Sequence, residues 1–200
     1  TAIAVDKMGG VYVTGSSNIR AGADIGNYLT IRYDAATGTE RWRMRYDART
    51  DSEDRPLAIT VDITGGVYVT GTTATVRYYA ADGTQRWAEP FPGTAIAADN
   101  MGAIYITGTA TSRHEAATGS QTWTTPYPGT ARAIAVDGLG GVYVSGTRYT
   151  EDDHTSGTFY TAKYSVADGA LLWEIQTAGP EDVAVDMVLD SDHNVIVTGY

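Results

Sequence analysis

One eleven-residue pattern recurs five times along the chain, and this repetition constrains the fold more than any other feature. The first copy reads VDKMGGVYVTG (residues 5–15), and in every copy an aspartate precedes the final glycine by nine residues. These pairs are Asp6/Gly15, Asp62/Gly71, Asp99/Gly108, Asp137/Gly146 and Asp190/Gly199. In a second pattern, which follows four of the copies, a glycine precedes a tryptophan by four residues: Gly38/Trp42, Gly83/Trp87, Gly119/Trp123 and Gly169/Trp173. Such periodicity indicates a fold built from one repeated supersecondary unit.

Each unit predicts four short β-strands. In the first unit AIAVD and VYVTG predict the first and second strands, and the glycines between them allow a turn with positive φ. YLTIRYD predicts the third strand, and ERWRMRY predicts the fourth after an AATG turn. No stretch has the apolar spacing of an amphipathic helix, so we expect few helices. A lone four-stranded sheet cannot bury both faces, whereas blades stacked around an axis can, with each tryptophan wedged between neighbours.

The sequence therefore predicts an all-β fold: a β-propeller of four-stranded antiparallel blades, with four complete blades and half of a fifth. The expected boundaries are residues 1–56, 57–93, 94–129 and 130–182 for the blades and 183–200 for the half blade, within a single propeller domain or fragment. A propeller ring has to close, because terminal sheets would otherwise expose their edges. Missing chain segments or another chain could close it, or the fifth blade could be only half-built, and a fragment of a longer propeller is the favoured interpretation.

These residues resemble a known group. AIAVD and GGVYVTG, followed by YLTIRYDAATGTERW, are similar to the bacterial seven-bladed β-propeller (SBBP) repeat over nearly the whole chain. This resemblance implies an exported protein that is extracellular, attached to the cell surface or periplasmic. The run from Asp34 to Trp42 also resembles the tryptophan-docking motif of quinoprotein propellers, although Tyr79 and Ser165 replace its first acid in two units. That likeness implies either a PQQ-dependent dehydrogenase or a non-catalytic scaffold.

The composition excludes several classes of function. The chain carries 14 basic and 24 acidic residues, a net charge of −10, and such a field repels the phosphates of nucleic acids. No apolar run approaches the roughly 20 residues of a membrane-spanning helix. The absence of cysteine excludes disulfides and thiolate metal sites, and with them the adjacent cysteine pair of PQQ dehydrogenases.

Length variation between units falls at one end of the predicted blades. The Asp-to-Gly and Gly-to-Trp spacings are constant, so the insertions lie after the second and fourth strands, at residues 16–27, 47–56 and 148–157. Loops on a rigid scaffold often carry binding residues. We therefore expect one acidic, variable face that binds a ligand and one plain face. The candidate ligand-binding residues are Arg20, Asp24, Asp51, Glu53, Asp54, Arg55, Tyr149, Glu151, Asp152, Asp153 and His154.

Two segments have the residue types of a calcium site. Asp190, Asp192 and Asn194 alternate as calcium-loop ligands do, but Val195 occupies the position at which such a loop needs glycine. Asp190 also aligns with Asp6, Asp62, Asp99 and Asp137, so a turn in which its side chain binds its own backbone is the simpler interpretation. Asp152, Asp153 and His154 are weak metal candidates in an acidic loop. We therefore expect no cofactor, with calcium as the minor alternative.

The remaining polar residues do not indicate catalysis. His114 takes the position that tyrosine has in the other three units, so a structural substitution is the simpler interpretation. A basic residue recurs at one position of the third strand, as Arg32, Arg77, Arg113 and Lys163, and a structural role is again favoured. The four tryptophans and five repeat aspartates are expected to be structural.

Three functions remain open at this point. The leading hypothesis is a non-enzymatic scaffold, exported, that contacts a glycan or protein through its acidic loops. The second is a part of a quinoprotein-type, PQQ-dependent dehydrogenase. The third is a purely structural segment of a repetitive surface or filament protein.

Overall fold

The computed structural model describes residues 1–18, 26–48, 54–150, 153–177 and 182–200, and every regular element in these ranges is a β-strand. Eighteen strands form five antiparallel sheets, which we call blades 1 to 5. Neighbouring strands within each blade follow one another in sequence. The described residues include no helix that could cross a lipid bilayer.

The blades are divided as the repeat predicts, with four strands in blades 1 to 4 and two in blade 5. Blade 1 contains β1 (Ala2–Val5), β2 (Gly10–Asn18), β3 (Gly26–Asp34) and β4 (Glu40–Tyr46). Blade 2 contains β5 (Pro56–Val61), β6 (Gly66–Gly71), β7 (Thr75–Tyr79) and β8 (Gln85–Glu89). Blade 3 contains β9 (Ala95–Ala98), β10 (Ala103–Thr107), β11 (Ala110–Glu115) and β12 (Gln121–Pro126). Blade 4 contains β13 (Thr130–Val136), β14 (Gly141–Thr150), β15 (Asp153–Ser165) and β16 (Leu171–Gln176), and blade 5 contains β17 (Ala184–Leu189) and β18 (Val195–Gly199).

The third and fourth strands change register at the same place in every complete blade. The shift falls directly after the basic residue of the third strand: Arg32/Tyr33, Arg77/Tyr78, Arg113/His114 and Lys163/Tyr164. A bulge bends a strand and increases its twist. Because the bulge recurs, the outer halves of the blades are bent alike and can stack on one another.

The core lies between blades rather than within them. One cluster joins Tyr12, Tyr28 and Trp42 of blade 1 to apolar residues of blade 2, such as Val67 and Tyr78. Equivalent clusters join blade 2 to blade 3, blade 3 to blade 4, and blade 4 to the hairpin of blade 5. Side chains alternate along a strand, so each blade contributes one face to the preceding joint and the other to the next.

A tryptophan forms the centre of each joint between complete blades. The indole Nε1–H donates to a backbone carbonyl in the third-to-fourth-strand turn of the next blade, from Trp42 to Ala80 at 2.8 Å, from Trp87 to Ala116 at 3.1 Å and from Trp123 to Val166 at 3.0 Å. The turn glycine Gly83 has φ of 76°, and a Cβ there would lie 2.9 Å from Trp42. Only glycine combines that backbone conformation with so close an aromatic ring.

The first strands of the blades line the axis of the stack. Contacts join β1 to β5, β5 to β9, β9 to β13 and β13 to β17, and none of similar extent within the described chain joins β17 back to β1. The outward faces at the two ends of the stack are correspondingly less covered. Val11, Val13 and Ile31 of blade 1 are only half-buried, whereas the equivalent Val67, Val69 and Val76 of blade 2 are fully buried.

Candidate functional site

The five repeat aspartates form the turns between first and second strands. Asp6 Oδ1 accepts hydrogen bonds from the backbone of Met8 at 2.8 Å and Gly10 at 2.7 Å, and its Oδ2 accepts from the hydroxyl of Tyr12 at 2.7 Å. The same three bonds recur at Asp62, Asp99 and Asp137. These contacts occupy both carboxylate oxygens, so the repeated aspartates belong to the scaffold.

Asp190 makes the corresponding turn in blade 5. Its Oδ1 accepts from the backbone of Asp192 and Asn194, and its Oδ2 accepts from the Asn194 amide at 2.8 Å. Ile196 stands where the other units have tyrosine, so the asparagine provides the third bond. His193 adopts φ of 62° at the position that glycine has in the other turns. Asp192 and Asn194 therefore contribute to a repeat turn, with their backbone amides directed at Asp190.

His114 and the repeated basic residues have structural surroundings. The His114 ring is fully buried, bonded to Ser112 at 2.8 Å and to the Gly119 carbonyl at 3.1 Å. Burial lowers the pKa of His114, so its imidazole is neutral near pH 7. Among the basic residues, Arg77 lies over the Tyr68 ring and donates to the Ala117 carbonyl of the next blade, and Lys163 pairs with Asp137 at 3.3 Å.

The connections after second and fourth strands leave one end of the blades, which we call the loop-bearing end. A depression of about 520 Å³ opens there beside the axis. Its lining combines the apolar and aromatic side chains of Leu57, Val185 and Tyr200 with the polar Thr94 and Arg132. Leu57, Val185 and Tyr200 are exposed, so this is an accessible surface rather than a closed core cavity. Sequence reasoning missed it because its residues lie at strand ends, outside the insertions.

The predicted ligand-binding residues differ in their location and exposure. Arg55 is exposed before β5, Tyr149 is half-exposed in β14, and Asp153 and His154 belong to β15. Asp54 differs from the exposed loop residue that was expected, because its side chain is completely buried. Arg20, Asp24, Asp51, Glu53, Glu151 and Asp152 lie outside the described residues.

Asp54 is buried because it ties together three segments of the loop-bearing end. Its Oδ2 accepts from the backbone of Ala48 at 2.7 Å, and its own backbone N–H donates to Gly26 at 2.6 Å. The adjacent Asn27, 3% exposed, donates its Nδ2 to Asp47 Oδ2 at 3.3 Å. Asp54, two residues before β5, therefore contacts both the start of β3 and the segment that follows β4. Asn27, Asp47 and Asp54 form what we call the loop-base cluster.

Two acceptor atoms in the loop-base cluster lack donors. Asn27 Oδ1 and Asp54 Oδ1 are both buried without a hydrogen-bond partner in the described structure. Tyr46 lies next to these residues: burial raises its pKa, and the charges of Asp54 and Asp47 raise it further. The Tyr46 ring packs edge-on against Tyr28 at 5.7 Å between ring centroids. Asn27 was not among the predicted site residues because a single asparagine beside a strand has no distinctive sequence pattern.

The opposite end, expected to be plain, carries exposed apolar side chains. Met8, Ile63, Met101 and Leu139 project from four of the five turns that follow the first strands, and each is more than half exposed. A depression of about 340 Å³ lies between three of these turns. At Met8, Met101 and Leu139 the repeat aspartate bonds the backbone amide, so these positions accept large side chains.

No protein-family model matches this chain, and no curated protein matches it. It is similar in structure to a KlHsv2 variant in which loop 6CD is replaced by a Gly-Ser linker, with 11% identity, a TM-score of 0.62, and coverage of 92% of this chain and 61% of that one. It is equally similar to Hsv2 of Kluyvelomyces marxianus, with 12% identity, a TM-score of 0.62, and coverage of 92% and 60%. The chain thus spans about three fifths of those structures. The predicted all-β propeller fold is confirmed, while its assignment to the SBBP or quinoprotein repeats stays a prediction.

Proposed function

We propose that this chain is a non-enzymatic binding propeller, exported from the cell, that contacts a glycan or a protein through its loop-bearing end. The depression of about 520 Å³ beside the axis carries the proposal. Ligand sites commonly have this size and combine an apolar lining with a few polar groups. Tyr200 offers an aromatic face and Arg132 offers N–H donors at the same opening, whereas the Thr94 hydroxyl donates to backbone carbonyls of the scaffold.

Acidic residues in the adjacent connections also indicate that the loop-bearing end is the binding surface. Asp51, Glu53, Glu151 and Asp152 belong to insertions that leave the blades there, and the chain has a net charge of −10. An acidic rim attracts partners that present lysine or arginine and repels polyanions. A protein with a basic surface, or a glycan with amino groups, would therefore suit this end.

Neutralising the acidic rim is expected to weaken ligand binding by at least about tenfold without lowering the melting temperature, because rim charges act mainly on recognition. The variant combines Asp51→Asn, Glu53→Gln, Glu151→Gln, Asp152→Asn and Asp153→Asn. Asp54 is left intact because it is buried. Binding would be measured on a glycan array and on a panel of immobilised basic proteins.

A control with three neutralised residues changes Glu40→Gln, Asp82→Asn and Asp168→Asn, which lie in or directly after turns at the opposite end. A second test variant, Arg132→Ala with Tyr200→Ala, alters the depression without changing the rim. Equal binding by the rim variant and the native chain would contradict the acidic-rim part of the proposal. If the native chain binds no array component and no protein, the binding function itself is wrong.

We also propose that ring closure uses a hairpin of the repeat's own third and fourth strands, placed against β18. β18 pairs with β17 on one edge, and a groove of about 240 Å³ beside it is lined by residues including Phe159, Trp173 and Val197. In blades 1 to 3 the corresponding tryptophan packs against the third strand of the next blade or the turn that follows it. Within the described chain no carbonyl accepts the Nε1–H of Trp173, whereas the other three indoles are bonded.

A synthetic peptide of residues 75–89, TVRYYAADGTQRWAE, is expected to bind this groove and shift the indole N–H signal of Trp173, because a new carbonyl would accept its proton. The measurement is a nitrogen–proton correlation spectrum of labelled protein with unlabelled peptide. The signals of Trp42, Trp87 and Trp123 serve as internal controls, since their acceptors are already in place. No shift at a large excess of peptide, or equal shifts of all four signals, would contradict this closure.

A further inference from the structure

We propose that the loop-base cluster, Asn27, Asp47 and Asp54, binds a divalent cation, and that calcium is the cation it fits best. The proposal starts from two buried acceptors, Asn27 Oδ1 and Asp54 Oδ1, that receive no hydrogen bond in the described structure. Nearly all buried polar atoms in proteins have such a partner, so two orphan acceptors in one cluster need an explanation. This proposal does not rest on the binding function, because metal binding is measured directly.

The burial of Asp54 is a second reason to expect a bound cation in this cluster. Its side chain is completely inaccessible to solvent, and only one of its two oxygens accepts a hydrogen bond, from Ala48. A buried carboxylate without a compensating positive charge is strongly unfavourable. The ion pairs in the described chain join other residues: Arg41 to Asp34, Arg43 to Glu40, Arg113 to Glu115 and Lys163 to Asp137. No described cation therefore neutralises Asp54.

The two orphan atoms border the same short segment. Asn27 reaches Asp47 through its Nδ2 at 3.3 Å, and Asp54 reaches the next residue, Ala48, through its Oδ2 at 2.7 Å. The orientation of the Asn27 amide follows from its partner, since a flipped amide would place its oxygen against the Asp47 carboxylate. Both Oδ1 atoms are thus the free ends of groups that are held in place by their other atom.

The donor set selects among cations. It consists of carboxylate and amide oxygens only, without histidine or cysteine, which disfavours zinc. Calcium accepts six to eight oxygen ligands in irregular geometry and includes waters among them, whereas magnesium requires a near-ideal octahedron. A buried water could donate to both orphan atoms, but it would bring no positive charge to Asp54.

The position of the cluster gives the cation a structural role. Asn27 begins β3, Asp47 follows β4, and Asp54 precedes β5, so one ion would join the bases of two loops to blade 2. Affinity on the order of 10⁻⁴–10⁻³ M is expected, as in extracellular calcium modules with few protein ligands. Such a site is filled outside the cell and empty at the submicromolar calcium of a cytoplasm.

The test uses terbium as a luminescent substitute for calcium in the intact chain. Tyr46 and Tyr28 lie beside the cluster, so excitation of tyrosine is expected to sensitise bound terbium, and calcium is expected to displace it while magnesium does so far less. Calcium at 10 mM should raise the melting temperature by a few degrees, because it binds the folded chain only. No sensitised emission and no calcium-dependent shift of the melting temperature would overturn the proposal.

Two variants separate a metal site from a hydrogen-bonding role. Asp54→Asn keeps an oxygen that can accept from Ala48 but removes the charge, so terbium affinity is expected to fall about tenfold or more. Asn27→Asp adds a third carboxylate, so the chain should be destabilised without calcium and recover with it. The control is Asp82→Asn, an exposed turn aspartate that accepts from Thr84 at 2.9 Å. Equal affinities for Asp54→Asn and Asp82→Asn, or no recovery of Asn27→Asp, would show that the cluster holds water only.

Discussion

Replacing Trp42 with alanine is expected to lower the free energy of unfolding by about 3–5 kcal/mol, the range for removing a buried tryptophan. The indole is 7% exposed, lies between the rings of Tyr12 at 5.9 Å and Tyr78 at 6.2 Å, and donates to the Ala80 carbonyl. The substitution opens a cavity between blades 1 and 2 and leaves that carbonyl without its donor. Urea unfolding followed by circular dichroism would give the change without relying on tryptophan emission.

Trp173→Ala is the matched control for this prediction. Trp173 packs on Tyr143 at 5.9 Å as the other repeat tryptophans pack on their tyrosines, but blade 5 supplies no third strand to cover its other side. Its loss should therefore cost less, about 1–2 kcal/mol, which is common for partly covered side chains. Equal costs for the two variants would mean that the tryptophan acts within its own blade and does not join neighbours.

The repeat made the blade architecture predictable because each spacing has one physical cause. The aspartate and the glycine nine residues later bracket a turn and a strand, and Gly83, Gly119 and Gly169 make room for the tryptophan of the preceding blade. The acceptor of each indole could not be predicted, since Ala80, Ala116 and Val166 contribute a backbone carbonyl that any residue provides. Backbone contacts of this kind cannot be recognised from the sequence, because they do not require a particular residue type.

The candidate site was less predictable than the fold. Acidic insertions indicated the loop-bearing end, but nothing in the sequence separated Asp54, which is buried, from its neighbours in the same insertion. Its burial depends on the meeting of three segments that are distant in sequence, at residues 26–27, 47–48 and 54. The exposed side chains of Met8, Ile63, Met101 and Leu139 were missed because a plain face was expected from the constant length of these turns, which does not depend on the residues in them.

Asp62→Ala is the second substitution for which we expect a large effect, a loss of about 2–4 kcal/mol of unfolding free energy, because buried donors would lose a charged acceptor. The carboxylate accepts from the Thr64 amide at 2.7 Å, the Gly66 amide at 2.8 Å and the Tyr68 hydroxyl at 2.6 Å. Tyr68 is fully buried, so water cannot replace the lost acceptor without opening the joint between blades 2 and 3. Urea unfolding at pH 7 measures the loss.

The pH dependence of the stability of Asp62→Ala tests the contribution of the negative charge of Asp62. Burial raises the pKa of Asp62, but hydrogen bonds from Tyr68, Gly66 and Thr64 outweigh it and hold the pKa below its usual value of about 4. A lowered pKa in the folded chain means that the carboxylate contributes full stability above about pH 4 and loses it as the pH falls through the folded value. Stability of Asp62→Ala should therefore decline less steeply on acidification than that of the native chain.

Asp190→Ala is the control for both measurements. Asp190 makes the equivalent turn, and hydrogen bonds from Asn194 lower its pKa, but Ile196 replaces the buried tyrosine and the carboxylate is more accessible to solvent. Water can therefore satisfy the amides of Asp192 and Asn194 after the substitution, and we expect a clearly smaller loss of stability. If both aspartates cost the same, the buried tyrosine contributes little, and the turn alone accounts for the presence of aspartate in every unit.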